Sequence, residues 1–572
     1  MKKQAFNPFL PMNEYVPDGE PHVFGDRVYI FGSHDKEGGH TFCMLDYVTY
    51  SASVDDLTDW RYEGVIYRAA QDPQYGRKPL LSEKERIAAL MNGADVQGTG
   101  ENEYLYMYAP DVVQGNDGKY YLYYSMSGEY GYAGYVGPIS VAVSDAPAGP
   151  YEFLGFVREK DGTPMERYVC FDPAVMNDNG VIRLFYGTQY GFEEEPDFTE
   201  NESYIKQEMD MFGRTKEEIL SYKDSIMGPV MLTLGDDMLT VKEEPHHIIP
   251  YKVKGTSFEE HPFFEGSSMR KVGEKYYFIY SSMQNHELCY AVSDYPDRDF
   301  VFGGTIVSNG DIGYNGRETK DKLNMTGTTH GSIIEIAGDW YVFYHRLTHK
   351  SDYSRQACAE KIRIEADGSI KQVEITSCGL NRGPLQAEGS YPAVIACNIT
   401  NGYMPHGCNS IYKTSFPNVS NIGDDRFIAE ISDGTLIGYK YFDFKDVASI
   451  GIKARIECDE NVPRFDGPAR VDVRSDSDGA SGGEGAASGN GEISGNKETQ
   501  TGIKEDASYF EIKTEIDGQS ICRMDIKAGD DPMRWEDISA EVNVPNGVYA
   551  LYLIYHGTEK VQLKEVAFQT ER

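Results

Sequence analysis

The sequence predicts an all-β protein, a five-bladed β-propeller followed by a jelly-roll-like β-sandwich. Three observations predict it. Aromatic residues are abundant, with 42 Tyr and 26 Phe, and they sit in short alternating runs bounded by Gly, Asp and Asn, the pattern of strands. A unit of the form Gly-polar-x-Tyr-hydrophobic-aromatic recurs five times, from Gly25, Gly118, Gly180, Gly273 and Gly338. Beyond about residue 385 the recurrence stops while strand-like alternation continues.

Each element follows from its residues. The five copies read GDRVYIFGSHD, GKYYLYYSMSG, GVIRLFYGTQ, GEKYYFIYSSM and GDWYVFYHRLT. Several are followed by an echo, YSASVDDLTDW, VAVSDAPAGPY or YAVSDYPDRDF, so each pair reads as neighbouring strands of one small antiparallel sheet. Five such units with a closing strand make a propeller over residues 1–385. Two insertions, 69–103 and 193–262, are long enough to wall a pocket. The second holds the one helical stretch expected, over about Glu200–Tyr222. Residues 386–572 alternate again (RFIAEI, SIGIKARIE, YFEIKTEI, GVYALYLIY), as a sandwich requires. Within them, 474–502 is Gly/Ser-rich and cannot bury a core, so it reads as a disordered loop between strands of one domain.

Composition excludes several classes. The 572 residues are 40% hydrophobic and 25% charged, as in soluble globular proteins. No run approaches the ~18 apolar residues of a membrane span. A net charge of -37 argues against binding nucleic acid or an anionic membrane surface, and it suits a neutral or cationic ligand. Nine scattered cysteines without a CxxC pair signal neither a disulfide framework nor a zinc site. The opening MKKQAFNPFLPMNEY lacks a signal-peptide apolar region, so a cytoplasmic location is expected.

The chemistry is read from a shared offset. Asp18 and Asp111 each lie 7 residues before their repeat glycine, and Asp172, Glu265 and His330 each lie 8 before theirs. First strands of propeller blades line the central axis, so four carboxylates and one imidazole are expected to converge at one end of it. Such like charge calls for function, a cation or shifted pKa values. Convergent carboxylates are what general acid–base hydrolysis needs. Calcium would suit a carboxylate-lined axial site, although the chemistry itself requires no cofactor. His34, Asp35, His345 and Arg346 follow inner strands and are candidates to touch substrate.

Residues 7–380 resemble glycoside hydrolase family 43, the five-bladed propeller glycosidases acting on arabinofuranosides and xylosides. The resemblance rests on NPFLP…PDGEPHVFGDRVYIFGSHD, YAPDVVQGNDGKYYLYYS, FDPAVMNDNG, FFEGSSMRKVGEKYYFIYS and THGSIIEIAGDWYVFYHR, in that order. It implies that Asp18 is the general base, Glu265 the general acid, and Asp172 the carboxylate that orients the acid and raises its pKa. It further implies that Arg355 contacts the sugar and keeps Asp172 ionised, and that His330 ligates an axial metal or its waters. Asp111 and His34 complete the expected substrate-binding set. The family's base lies in an Asp-Pro pair, whereas this chain reads Asp18-Gly19-Glu20-Pro21, so Glu20 is an alternative base. The arginine in GRETK (316–320) precedes His330 and is set aside as a surface loop. The resemblance implies an inverting exo-glycosidase acting on small carbohydrates, with an endo-acting arabinanase or a non-catalytic sugar-binding propeller as alternatives. The C-terminal sandwich resembles carbohydrate-binding modules and is expected chiefly to buttress the propeller.

Overall fold

The computed structural model describes residues 4–39, 41–75, 106–126, 137–189, 201–407, 412, 414–463, 508–527, 529 and 531–571. The Gly/Ser-rich stretch 474–502 and most of the first insertion lie outside the described residues.

Five antiparallel sheets succeed one another along the chain. Blade I comprises β1 (Glu20–Phe24), β2 (Arg27–Phe31), β3 (Tyr47–Ser53) and β4 (Asp56–Tyr67). Blade II comprises β5 (Asp111–Gln114), β6 (Tyr120–Tyr124), β7 (Ser140–Ser144) and β8 (Glu152–Phe156). Blade III comprises β9 (Ala174–Asp178), β10 (Val181–Tyr186), β11 (Val230–Leu234) and β12 (Val241–His247). Blade IV comprises β13 (Phe263–Val272), β14 (Lys275–Ser282), β15 (Glu287–Ser293) and β16 (Val301–Ser308). Blade V has three strands, β17 (Ser332–Ile336), β18 (Asp339–Leu347) and β19 (Arg355–Ile362). The N-terminal segment lies along the free edge of β19, where Phe9 N–H donates to Ala357 O at 3.1 Å and Asn7 Nδ2 to Ala359 O at 3.0 Å. The ring is thereby closed by residues that precede its first blade.

The five repeat glycines all lie in the turn between the first and second strands of a blade, each with positive φ, from 60° at Gly273 to 91° at Gly180. Side chains alternate across a strand, so one strand can serve two interfaces. In β2, Tyr29 and Phe31 pack with Leu122 and Tyr124 of blade II, while Val28 and Ile30 pack with Tyr341 and Phe343 of blade V. Three further apolar clusters join blades II to III, III to IV and IV to V. Strands covered on both faces need continuous apolar runs, which is why YYLYY and the YYFIY of KYYFIYSS carry aromatic or aliphatic residues at every position. Each buried aromatic contributes about 1.5–3 kcal/mol, so the tyrosine-rich repeats are the glue between blades.

The expected single helix is two, α1 (Glu202–Phe212) and α2 (Lys216–Ser221). Gly213 ends α1 in the left-handed region (φ 61°), and Thr215 starts α2 through a reciprocal capping box with Glu218. Phe212, Ile219, Ile226 and Met227 pack with Phe42, Tyr108, Phe171 and Tyr353 at the end of the axis that carries the chemistry. Among the described residues no helix is long and apolar enough to cross a membrane.

Two six-stranded sheets form the sandwich, and Phe442, Phe444, Leu551, Leu553, Val566 and Phe568 interdigitate between them. It is fastened to the propeller by polar contacts. Lys440 Nζ reaches Asp311 at 3.1 Å and Glu374 at 3.0 Å, and Arg346 Nη1 donates to the Ala396 and Cys397 carbonyls at 3.3 and 3.2 Å.

Candidate active site

Asp18, Asp172 and His330 precede the first strands of blades I, III and V, and Glu265 lies within the first strand of blade IV. The structure brings these four together. His330 Nδ1 is 3.9 Å from Asp18 and 3.7 Å from Asp172. Asp172 accepts from the backbone N–H of Gly266, and the charge of Glu265 bears directly on it. Asp18 (φ 57°) and Asp172 (φ 45°) both adopt the left-handed conformation, which turns the chain into the axis just before a strand begins. Glycine permits the crowding, since a Cβ at Gly266 would lie 3.0 Å from His330 Cγ and one at Gly331 would overlap Phe343 O.

The charges are sharply divided. Arg355 donates through Nη1 to both oxygens of Asp18, at 2.8 and 3.0 Å. Through Nε and Nη2 it grips Asp35 at 2.8 and 2.9 Å, and the Phe42 ring stacks on its guanidinium. His345 accepts the Asp18 N–H on Nδ1 at 3.2 Å and faces the Thr328 carbonyl through Nε2 at 3.1 Å, which sets its Nε2–H tautomer. Burial alone would raise Asp18, but the Arg355 guanidinium bonded to both its oxygens outweighs it and holds the carboxyl far below the usual range. Asp172 is the opposite case. Burial, then the charges of Glu265 and Asp18, push it well above its ordinary value, and the more distant Arg355 only partly opposes this. Arg355 therefore serves Asp18, and the expectation that it keeps Asp172 ionised is corrected. Asp172, beside the half-buried Glu265, is thus the carboxyl of this cluster whose protonated form burial and like charge favour.

Asp111 is not beside them. It is fully buried, with its oxygens taken by His22 Nε2 at 2.6 Å, Val112 N–H at 2.7 Å and Val175 N–H at 2.7 Å. It ties three blades together and has no free atom for substrate, which corrects its assignment to the substrate-binding set. Glu20 lies in the same deeper layer, where its Oε2 accepts from Arg270 at 2.6 Å and Ser268 at 3.1 Å. Burial, opposed by Arg270 and reinforced by Asp111, raises Glu20 to about 7. His34 stands at the rim, donating through Nδ1 to Asp46 O at 2.7 Å. Arg346 faces the sandwich and is removed from the candidates. The GRETK residues are largely exposed and lie on the connection between β16 and β17.

Two buried polar atoms on the axis have no hydrogen-bond partner, His330 Nε2 and Glu20 Oε1. Burial lowers His330 to about 4, so its imidazole is neutral and able to ligate. One imidazole and one carboxylate oxygen fit a cation that completes its shell with water, as calcium does.

A buried carboxylate gripped by an arginine, with two further carboxyl groups beside it at one end of a propeller axis, is the kind of arrangement that acid–base cleavage of a glycosidic bond calls for. Relatives place it more narrowly. The chain is 38% identical over its full length, and that of the relative, to a xylosidase/arabinosidase of Thermoclostridium stercorarium. It is 28% identical to a xylosidase/arabinosidase of Bacteroides ovatus, covering 64% of this chain and 97% of that one. Among solved structures, a family 43 β-xylosidase/α-arabinofuranosidase from a compost metagenome, complexed with xylotriose in a calcium-free form, matches with TM-score 0.45 and 25% identity over 65% of this chain and 98% of that one. No family model matches the chain. The chain belongs to the xylosidase/arabinosidase enzymes of glycoside hydrolase family 43.

Proposed function

We propose that this glycosidase is exo-acting and inverting, and that it releases terminal α-L-arabinofuranosyl or β-D-xylosyl units from short oligosaccharides. The observation that carries the reading is the uneven pairing within one buried cluster: Arg355 donates to both oxygens of Asp18, whereas Asp172 lies against the like charge of Glu265. Asp18, ionised by Arg355, accepts a proton from the water that attacks the anomeric carbon. Glu265 gives its proton to the departing glycosidic oxygen as that bond breaks. Asp172 keeps the proton on its side of the site at neutral pH and orients Glu265. After turnover Asp18 holds the proton that Glu265 has lost, and exchange with solvent restores both. A calcium ion held by His330 and Glu20 would supply positive charge on the axis, offsetting the repulsion among the acids. α1 and α2, packed over this end of the axis, support a walled pocket and hence chain-end cleavage.

The test is hydrolysis of aryl β-D-xyloside and aryl α-L-arabinofuranoside side by side, with the first-formed anomer of the released sugar followed by proton NMR. Release of sugar with inverted configuration is expected. Release with retained configuration would overturn the water-attack role of Asp18, and no release from either substrate would overturn the exo-glycosidase reading.

A further inference from the structure

The clamp on Asp18 is assembled from two loops, and neither is held by the propeller alone. Asp35 lies on the β2–β3 connection (32–46), and Arg355 begins β19 immediately after the β18–β19 connection (348–354). Two residues beyond Asp35, Glu37 Oε1 accepts from Tyr15 Oη at 3.0 Å and from Arg426 Nη2 at 2.6 Å. Arg426 belongs to the sandwich strand Asp425–Ile431 and also donates through Nε to Met12 O at 3.1 Å. The second loop is met by the neighbouring strand, Asn418–Ile422. Asn421 Oδ1 contacts His349 Nε2 at 3.2 Å, and Val419 N–H donates to Thr348 O at 3.2 Å. Lys350 Nζ pairs with Glu430 at 2.6 Å. Tyr15 Oη joins the two loops, since it also lies 3.2 Å from His349 Nδ1, while the Tyr15 carbonyl accepts the Asp35 N–H at 2.9 Å.

We propose that this edge of the sandwich is a positioning element of the hydrolytic site: Arg426 through Glu37, and Asn421 through His349, hold the two loops whose Asp35 and Arg355 fix the Asp18 carboxylate. The physical case is the cost of the arrangement. Arg355, Asp35 and Asp18 are each about 95% buried or more, and buried charges of this kind are stable only in well-held geometry. A guanidinium shared between two carboxylates on separate loops moves if either loop moves. Arg426 is a positioning residue, acting on the proton acceptor through Glu37, Asp35 and Arg355, and it touches no substrate. The inference rests on the proposed base role of Asp18 for its kinetic arm only.

The test uses the full chain and the variants Arg426→Ala, Arg426→Lys and Glu37→Gln. Lys440→Met, which cuts a different part of the same interface, is the control. Hydrogen–deuterium exchange reads the clamp without reference to activity. Arg426→Ala is expected to raise exchange in 32–46 and 348–355 while Lys440→Met does not, and unchanged exchange in these loops would overturn the proposal. The kinetic arm is the split between kcat and KM. Arg355, which grips Asp18, is itself held by Asp35 on the first of the two loops and begins β19 at the end of the second. With Arg355 loosened, kcat is expected to fall about tenfold with KM little changed, and to be restored largely by Arg426→Lys. Looser loops with an unchanged kcat would show a merely structural contact and overturn the positioning role. If the wild type turns over neither glycoside, the proposed function fails while the exchange arm still decides the clamp.

Discussion

Two layers of the propeller axis invite comparison, because both are acidic and buried and only one is built for chemistry. In the deeper layer Asp111 spends its oxygens on His22 and two backbone N–H groups, and all but one oxygen of Glu20 is held by Arg270 and Ser268. In the outer layer Arg355 holds the Asp18 carboxyl far below its usual range, while burial and the charge of Glu265 push Asp172 well above its own. Asp18 and Asp172 are as deeply buried as Asp111 and Glu20. What differs is that Asp111 has both oxygens taken by bonds that join blades, whereas Asp18 is gripped by a cation and Asp172 carries the like charge of Glu265. The first makes a joint between blades, and the second is where the proposed acid and base stand.

The comparison breaks most visibly at Asp18. Replacing it with Asn removes the proposed proton acceptor while keeping shape, so kcat/KM for the better glycoside is expected to fall about 10³-fold, with Tm lowered because the buried Arg355 loses one of its two carboxylates. The mirror experiment is Asp111→Ala, which orphans two backbone donors and a histidine. It is expected to cost about 2–4 kcal/mol in thermal or denaturant unfolding while kcat stays close to wild type. A large kcat loss at unchanged stability would place Asp111 in the chemistry instead.

The second pair shows what could be read from the sequence and what could not. The blades, their order and their turn glycines were legible, because a residue pattern repeated five times in register reflects one packing problem solved five times. The grouping of Asp18, Asp172, Glu265 and His330 was legible for the same reason. Asp111 was misread because counting back from a glycine assumes equal turns. The β5–β6 turn spans residues 115–119, whereas the β1–β2 turn is 25–26. The longer turn moves Asp111 one layer deeper, to pair with Tyr123 as Glu20 pairs with Phe31. In blade IV the opposite happens, for a bulge between Glu265 and Ser268 absorbs an extra residue and leaves Glu265 at the mouth of the axis. Arg355's attachment to Asp35 and Asp18 had no local signal, since it depends on loops 320 and 337 residues apart in sequence.

Smaller effects sharpen the contrast. Glu20 is raised from 4.5 to about 7 in the folded protein, so between those values the native state binds more protons than the unfolded one. Stability is therefore expected to be full below about 4.5 and to decline as pH rises toward 7, and Glu20→Gln should flatten that slope in a Tm series. A wild-type curve already flat over the interval would show that Glu20 is ionised when folded. Removal of divalent cations is expected to lower Tm modestly and to be reversed by calcium, with His330→Ala abolishing the response. Indifference of the wild type to chelator would leave the axis to water.

The most direct test of the division of labour is leaving-group dependence. With an aryl glycoside whose leaving group needs no protonation, Glu265→Gln is expected to keep much of its activity, yet to lose about 10³-fold on an unactivated disaccharide. Asp18→Asn is expected to fail equally on both. Rescue of Asp18→Asn by the activated substrate, with Glu265→Gln failing on both, would reverse the two roles and contradict the account.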